Sequence, residues 1–495
     1  MERALQSKKV ERFLQLNKSF IHGEWVTGEG SETVSILNPY TDETLAEVKI
    51  ASKQQVEAAY QYAEEAHLEW GQNAELRKDV FQKAAQFFED HKNEILHLLA
   101  IETGSAPFKA ELEYNITMGA FKAYGSLIDR AYEKWNPEQE LMPGKVNEIH
   151  RLPLGVVSSI APFNFPLYLS LRGVLPALAL GNAVVQKPDL QVGLVSGTLI
   201  AKAFEEAGLP AGVFSSVLTT PDEIGDRMLE DPRVKLIAFT GSTDVGRHIS
   251  TVAGKHFKRT ALELGGNAPF VVLEDADLDQ AVDAAIFGKF LHQGQICMIT
   301  NRFIVHEKHY DAFTKKFTER AKTLPYGDPR DPDTVIGPLI NRTQLEKAIQ
   351  NVEKAKQSGA DVLLEGKVEG NVMTPYVFGN VDNTSDIAQT ELFAPIALIV
   401  KAASDKEAMD LANETVFGLS SAIFTNDIEK GRRYAIGLEA GMTHINDQTV
   451  NDLPNAPFGG MRNSGVGRFG VPFVIDEFTQ YKWVSIQEEK REFPF

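Results

Sequence analysis

The 495-residue chain contains one cysteine, Cys297. That excludes an intrachain disulfide and any Cys-x-x-Cys metal or redox pair. The thiol is then either a buried small hydrophobe, as most free cysteines are, or a nucleophile. Positive charge is also scarce, with 50 Lys and Arg against 68 Asp and Glu and a net charge of −18. A protein that neutralises phosphates needs the opposite balance, so no nucleic-acid partner is expected. Apolar runs stay below the ~18 residues that span a bilayer; even the stretch 174–185 is interrupted by Pro176, Gly181 and Asn182. No membrane association is expected. Repeats and low-complexity tracts are missing too. Residues 1–9 are charged and lack the apolar segment of an export signal, and with no cysteine pairs a reducing cytoplasm is the expected compartment.

What is present is ordinary globular composition, 43% hydrophobic and 24% charged, in a chain too long for one core, since single cores stop growing near ~250–300 residues. Up to about residue 130 the apolar spacing is mostly helical, at 56–70 and 75–104. From residue 154 short apolar runs alternate with helical stretches. Strands are expected at 154–160, 183–186, 213–218, 234–239 and 260–264, and helices at 167–180, 192–207, 223–229 and 245–255. Such alternation predicts right-handed βαβ crossovers and a parallel sheet covered on both faces. A second α/β block runs from 268 to about 440, with strands at 268–273, 303–305 and 395–400. Residues 131–153 read as an excursion, and 481–486 alternate like a strand. Both suit a subunit interface or a packed edge strand.

One motif is a decoy. Gly465-Val466-Gly467-Arg468-Phe469-Gly470 fits Gly-x-Gly-x-x-Gly, but a glycine-rich loop precedes it and Pro472 follows. The dinucleotide fingerprint needs a strand before and a helix after. Phe239-Thr240-Gly241-Ser242-Thr243-Asp244-Val245-Gly246 is the better phosphate candidate, because it leaves an apolar run and opens a helix, where backbone N–H groups meet anions. Its plain alternative is an ordinary serine-capped turn. Lys187-Pro188 leaves another strand, on the edge where parallel sheets bind ligands, or is simply solvated. Glu263-Leu264-Gly265-Gly266 offers a carboxylate beside two glycines that permit close backbone approach. Asn164, between Pro162 and Pro166, is an oxyanion donor or a turn residue. None of these singles decides the matter.

In order along the chain, Ala161-Pro162-Phe163-Asn164-Phe165-Pro166, Lys187-Pro188, Gly241-Ser242-Thr243, Glu263-Leu264-Gly265-Gly266, Gly294-Gln295-Ile296-Cys297, Glu391-Leu392-Phe393-Ala394-Pro395 and Pro457-Phe458-Gly459-Gly460 resemble the aldehyde dehydrogenase superfamily. His292-Gln293-Gly294-Gln295-Ile296-Cys297 and the run from Asn446 to Asp452 are most similar to its benzaldehyde and vanillin dehydrogenase branch. The resemblance implies a doubly wound α/β cofactor domain (1–130 and 154–265), an α/β catalytic domain (266–463) and a small β oligomerisation element (131–153 and 478–495). It implies oxidation of an aromatic aldehyde to the acid with NAD or NADP, no metal, and assembly as a homodimer or homotetramer. Cys297 would be the nucleophile, Asn164 the oxyanion donor and Glu263 the base. Lys187 would hold the adenosine ribose, Ser242 the pyrophosphate and Glu391 the nicotinamide ribose. Phe393, Ile160, Pro162, Gly241, Gly246 and Leu264 would line the cofactor crevice.

Three positions depart from the family's pattern. An aromatic Phe163 replaces the usual Trp before Asn164. Leu190 stands where NAD-preferring members commonly carry Glu; without that carboxylate to repel a 2′-phosphate, use of both cofactors is expected. Arg172-Gly173 replaces a common Trp-Lys pair. Tyr168 and Arg172 are four apart on one helical face, and with Phe165 and Phe458 they would line an aromatic pocket. Arg172 then either meets a ring hydroxyl or pairs structurally with a carboxylate. The rival activities are oxidation of aliphatic aldehydes or semialdehydes, and cofactor-independent thiol ester cleavage.

Overall fold

The alternation after residue 154 builds a sheet with a parallel centre. The computed structural model describes residues 10–137 and 144–495; the charged N-terminal stretch 1–9 and residues 138–143 of the expected excursion lie outside the described residues. Four strands form the sheet's middle, β1 (Val156–Ile160), β2 (Ala183–Lys187), β3 (Val234–Thr240) and β4 (Arg259–Glu263). They lie side by side in the order β2-β1-β3-β4, all parallel. Helices cover both faces, so these strands read as continuous apolar runs rather than alternating ones.

Four helices position the site. They are α1 (Pro107–Gly125), α2 (Pro166–Ala179), α3 (Thr243–Lys255) and α4 (Arg342–Gln357). All fourteen residues of α2 are buried, which is why its sequence is apolar almost all round. A second sheet of seven strands lies within residues 268–445 and is parallel except at the edge strand Asp361–Leu364. A third, antiparallel sheet pairs Lys145–Pro153 with Thr479–Gln487 over nine residue pairs, and with Lys134–Trp135 on its other side. No helix among the described residues is long and apolar enough to cross a membrane.

Several local expectations change. The N-terminal region contains strands at Ser19–Ile21, Glu24–Val26, Thr33–Leu37 and Thr44–Lys49, too short or too exposed to show a period against the helices that follow. The first two join the eight-stranded sheet, as does Gly465–Val466, which zips antiparallel onto β4. The decoy glycine motif is thus a sheet edge. The stretch 75–104 is two helices, broken at His91. Residues 192–207 start as a 3₁₀ turn and a π-helix before becoming α-helical, because the buried Glu102 carboxylate accepts the Leu194 and Val195 N–H groups at 2.8 Å each. The helix expected at 223–229 is split by Gly225 at φ 56°.

Candidate active site

The register of the first sheet draws its predicted residues into one row. Ile160 is paired with Lys187 on one side and with Phe239 on the other, and Thr240 is paired with Glu263. All lie at the carboxyl ends of parallel strands, where open α/β sheets bind ligands. Beyond β3, Ser242 is the N-cap of α3, yet its side chain makes no capping hydrogen bond and is exposed. The hydroxyl and the first N–H groups of α3 are therefore available to an anion. Close approach here requires glycine: a Cβ on Gly246 would lie 2.3 Å from Leu264 Cδ2.

Cys297 reaches the same place from the second α/β block through a turn of high local energy. His292, Gln293 and Gly294 follow one another with φ of 50°, 46° and 80°, and the left-handed region costs about 1 kcal/mol or more for each non-glycine residue. Side chains hold the turn. Gln293 donates to the Pro338 carbonyl at 2.8 Å and accepts from Gly337 N–H at 3.1 Å, and Gln295 accepts from Ile340 N–H at 3.0 Å. The segment then presses on the end of β4, where a Cβ on Gly266 would lie 2.2 Å from the Cys297 carbonyl oxygen.

Around the thiol the groups converge. Asn164 Nδ2 donates to the Gln295 carbonyl at 3.0 Å, which ties the asparagine to the Cys297 loop and leaves its second amide hydrogen for another acceptor. Glu263 is 1% exposed and neither carboxylate oxygen has a hydrogen-bond partner. Burial pushes its carboxyl up to about 8, against the pull of Arg172 and Arg468. Glu391 accepts from Gly266 N–H at 2.9 Å; burial raises it to about 7, against that N–H. Burial, then Glu391, and to a smaller degree Glu263 push the half-buried Cys297 thiol up to about 12, with Arg172 opposing. Burial lowers Lys187 and the neighbouring Asp189 opposes.

A crevice of about 400 Å³ brings together Pro162, Asn164, Gly241, Ser242, Leu264, Cys297, Glu391 and Phe393. Its far wall is α4, with Gln344, Lys347, Asn351 and Lys354, a stripe three or four residues apart that the motif reading missed. A larger hollow of about 740 Å³ between residues 93–111 and 328–331 holds none of the predicted residues. Leu190 is buried in an apolar cluster with Ile36 and Leu194. Asp189 commits one oxygen to Gln191 N–H at 2.9 Å.

The expected pocket residues also have packing partners. The Arg172 guanidinium lies 4.9 Å from the Tyr168 ring centre and 3.9 Å from that of Phe458, and pairs with Asp452. Phe165 stands edge-on to His292 at 5.9 Å, with Lys109 Nζ 4.3 Å from its ring centre. Lys109 and Glu113 form a fully buried pair at 2.6 Å. Glu113 also accepts from Leu167 and Tyr168 N–H at 2.8 and 3.2 Å, so it caps α2 from another helix. Sequence reasoning passed over this pair because Lys and Glu four apart normally mark a solvated helix face. Among the described residues no group of three His, Cys, Asp or Glu could hold a metal ion.

The sequence profile of the Aldehyde dehydrogenase family matches residues 25–484. A vanillin dehydrogenase of Corynebacterium glutamicum is 45% identical over 477 residues, covering 96% of this chain and 98% of that protein. The crystal structure of a NAD-dependent benzaldehyde dehydrogenase from Corynebacterium glutamicum superposes with a TM-score of 0.88 at 41% identity, covering 97% and 98% of the two chains. A salicylaldehyde dehydrogenase from Pseudomonas putida G7, solved with salicylaldehyde, gives 0.93 at 34% identity, covering 97% and 99%.

Proposed function

The chain belongs to the aldehyde dehydrogenase family, and from that premise we propose that it oxidises an aromatic aldehyde to the carboxylic acid with NAD or NADP. One observation carries the reading: Cys297, Asn164, Glu391 and the uncapped Ser242 line a single crevice at the carboxyl ends of parallel strands. The similar proteins that act on vanillin, benzaldehyde and salicylaldehyde support the aromatic class. The crevice fits a dinucleotide, because Ser242, the N-cap of α3, lines it and makes no capping hydrogen bond of its own. Ser242 and the α3 N–H groups would hold the pyrophosphate, Lys187 the adenosine ribose and Glu391 the nicotinamide ribose. Ile160, Pro162, Gly241, Leu264 and Phe393 would wall the cleft. Bound nicotinamide supplies the hydride acceptor.

The protein's own groups account for the remaining steps. A thiol pushed up to about 12 is protonated at neutral pH, so it needs a base; Glu263, buried at the end of β4 behind the crevice residues Leu264 and Gly265, would serve. The thiolate adds to the aldehyde carbon, and the Asn164 amide with the Cys297 N–H takes the resulting oxyanion; one such donor lowers the barrier by about 3 kcal/mol. Loss of hydride leaves a thioester on Cys297. Glu263 passes the thiol's proton to solvent before hydrolysis, then takes a proton from water as the hydroxide adds to the thioester; the acid is released as the Cys297 thiolate leaves and regains a proton from Glu263. Phe165, Tyr168, Arg172 and Phe458 form the ring pocket.

The first sheet would be the cofactor domain and the seven-stranded sheet the catalytic domain. The strand Thr479–Gln487 lies at the edge of its sheet among the described residues and leaves Tyr481, Trp483 and Ile486 exposed, which supports a homodimer or homotetramer. A reducing cytoplasm would keep the lone thiol usable.

A spectrophotometric panel tests the reading with benzaldehyde, vanillin, a straight-chain aldehyde and succinic semialdehyde, each with NAD and with NADP. The expected result is preference for the aromatic aldehydes, and kcat/KM values for the two cofactors within about a hundredfold, since repelling a 2′-phosphate takes a charge that Leu190 lacks. Preference for succinic semialdehyde, or product without nicotinamide reduction, overturns it. Cys297→Ala is expected to abolish oxidation while still binding cofactor.

A further inference from the structure

The start of α2 is held from outside its own sequence. Phe165, the N-cap residue, has no side-chain acceptor, and Pro166 at the first position has no N–H. The next two N–H groups, of Leu167 and Tyr168, would be orphans of an ordinary helix end. Both donate to Oε1 of Glu113 on α1, at 2.8 and 3.2 Å. The other carboxylate oxygen accepts from Lys109 Nζ at 2.6 Å. An ammonium has three donors; Lys109 gives a second to Ser105 Oγ at 2.9 Å, and its Nζ lies 4.3 Å from the centre of the Phe165 ring, where a cation is attracted to the ring face. Ser105, Lys109 and Glu113 are all fully buried.

A buried ion pair is an inefficient source of stability, because desolvating two charges offsets most of their attraction. It does confer position, and both members of this pair act on one short stretch: Glu113 holds the backbone at 167 and 168, and Lys109 packs on Phe165. The residue immediately before that stretch is Asn164. Its side-chain tip is already fixed, since Nδ2 donates to the Gln295 carbonyl at 3.0 Å in the loop that carries Cys297. Asn164 is therefore tied at its tip to the nucleophile's segment and along its backbone to α1. An oxyanion donor acts by being in place before charge develops, so its backbone anchor matters as much as its amide. We propose that Lys109 and Glu113 are a positioning pair for Asn164: by pinning the start of α2 they set where its second amide hydrogen lies relative to Cys297.

The inference rests on the reading of Asn164 as the oxyanion donor. Its test is a double-mutant cycle on the first turnover with benzaldehyde and NAD, followed in stopped flow for the natural protein, E113A, E113Q, N164A and the two double variants, with thermal melts as the fold control. A loosened α2 start misplaces the donor, so E113A should lose about a hundredfold. E113Q keeps an acceptor for both N–H groups and should lose about tenfold or less. On N164A no donor is left to misplace, so either change should lose less than about threefold. Alkylation of Cys297 by iodoacetamide forms the sulfur–carbon bond as iodide leaves and builds no oxyanion, so in E113A its rate should stay within about threefold of the natural one. Equal losses in both backgrounds, or alkylation that slows with turnover, would show a general disturbance of the core and overturn the proposal. So would an E113A first turnover within about threefold of the natural rate. If E113A does not fold, E113Q decides in the same cycle: a loss that vanishes on N164A supports the pair's role, and no loss or a persistent one overturns it. If N164A is too slow to read, the split between turnover and alkylation decides. An N164A variant with a natural first turnover would sink the reading of the donor; a crippled N164A beside additive losses would sink only the role of the pair.

Discussion

Replacing Gly266 with alanine asks whether the end of β4 fixes the position of the nucleophile. The added Cβ would lie 2.2 Å from the Cys297 carbonyl oxygen, where real Cβ contacts essentially never fall below 3.0 Å. Neither side yields easily. Gly266 is tied by its N–H to Glu391 at 2.9 Å, and the Cys297 segment is pinned through Gln293 and Gln295. Relieving the overlap takes a shift of roughly 1 Å, at about 1–3 kcal/mol of stability. A reacting group displaced that far loses on the order of a hundredfold in rate. The measurement is the rate of the first turnover in stopped flow, with cofactor affinity followed separately by fluorescence. Gly265→Ala is the comparison, because its Cβ would meet Glu391 Oε2 at 2.6 Å, the carboxylate proposed to hold the nicotinamide ribose, rather than the backbone of the Cys297 segment. We expect Gly265→Ala to weaken cofactor binding more than the first turnover, and Gly266→Ala to do the reverse. A Gly266→Ala first turnover within about threefold of the natural protein would refute the reasoning.

Glu263→Gln should abolish turnover and stabilise the fold at alkaline pH. The natural carboxyl is raised from 4.5 to about 8, so between those values the folded chain keeps a proton that the unfolded chain releases, and stability falls as pH rises through that window. At pH 7 the penalty is roughly 3 kcal/mol; melting curves should therefore favour the variant at pH 8 and converge near pH 4.5. A natural protein that melts higher at pH 8 would contradict this. Glu113→Ala removes the trans cap from α2 and leaves Lys109 charged and unpaired in the core, at about 3–5 kcal/mol. Glu113→Gln keeps an acceptor for the two N–H groups and should lose less, though Lys109 still lacks its counter-charge; equal urea midpoints for the two variants would show that the cap contributes nothing.

The parts of the site that were legible in the sequence are those where chain order and spatial order coincide. Asn164, Lys187, Ser242 and Glu263 each leave an apolar run, and a parallel sheet must deliver the ends of such runs to one edge. Leucine after lysine and arginine in place of Trp-Lys were visible as departures for the same reason. What stayed hidden depends on contacts between distant segments. Lys109 and Glu113 drew no notice because helical spacing does not say which face is buried. The α4 stripe carries no motif, only a position opposite Ser242. Asp452 lies 280 positions from Arg172, so spacing could offer a carboxylate partner in general but not name it. The N-terminal strands escaped because three to six residues cannot establish a period.

The lone cysteine gains most from the fold. In isolation it was a buried thiol or a nucleophile; in the structure it is half-buried at the wall of the crevice, so it is partly shielded and still within reach of a substrate. Burial and two carboxylates push the thiol up to about 12, which keeps it protonated at pH 7. Oxidation proceeds through the thiolate, and no second cysteine exists to rescue a sulfenic acid as a disulfide. Suppressing the resting thiolate is therefore the protection open to this chain. The same suppression makes activation depend on a base. Glu263 would supply that base from a buried position, and so the nucleophile stays protonated until its proton is taken.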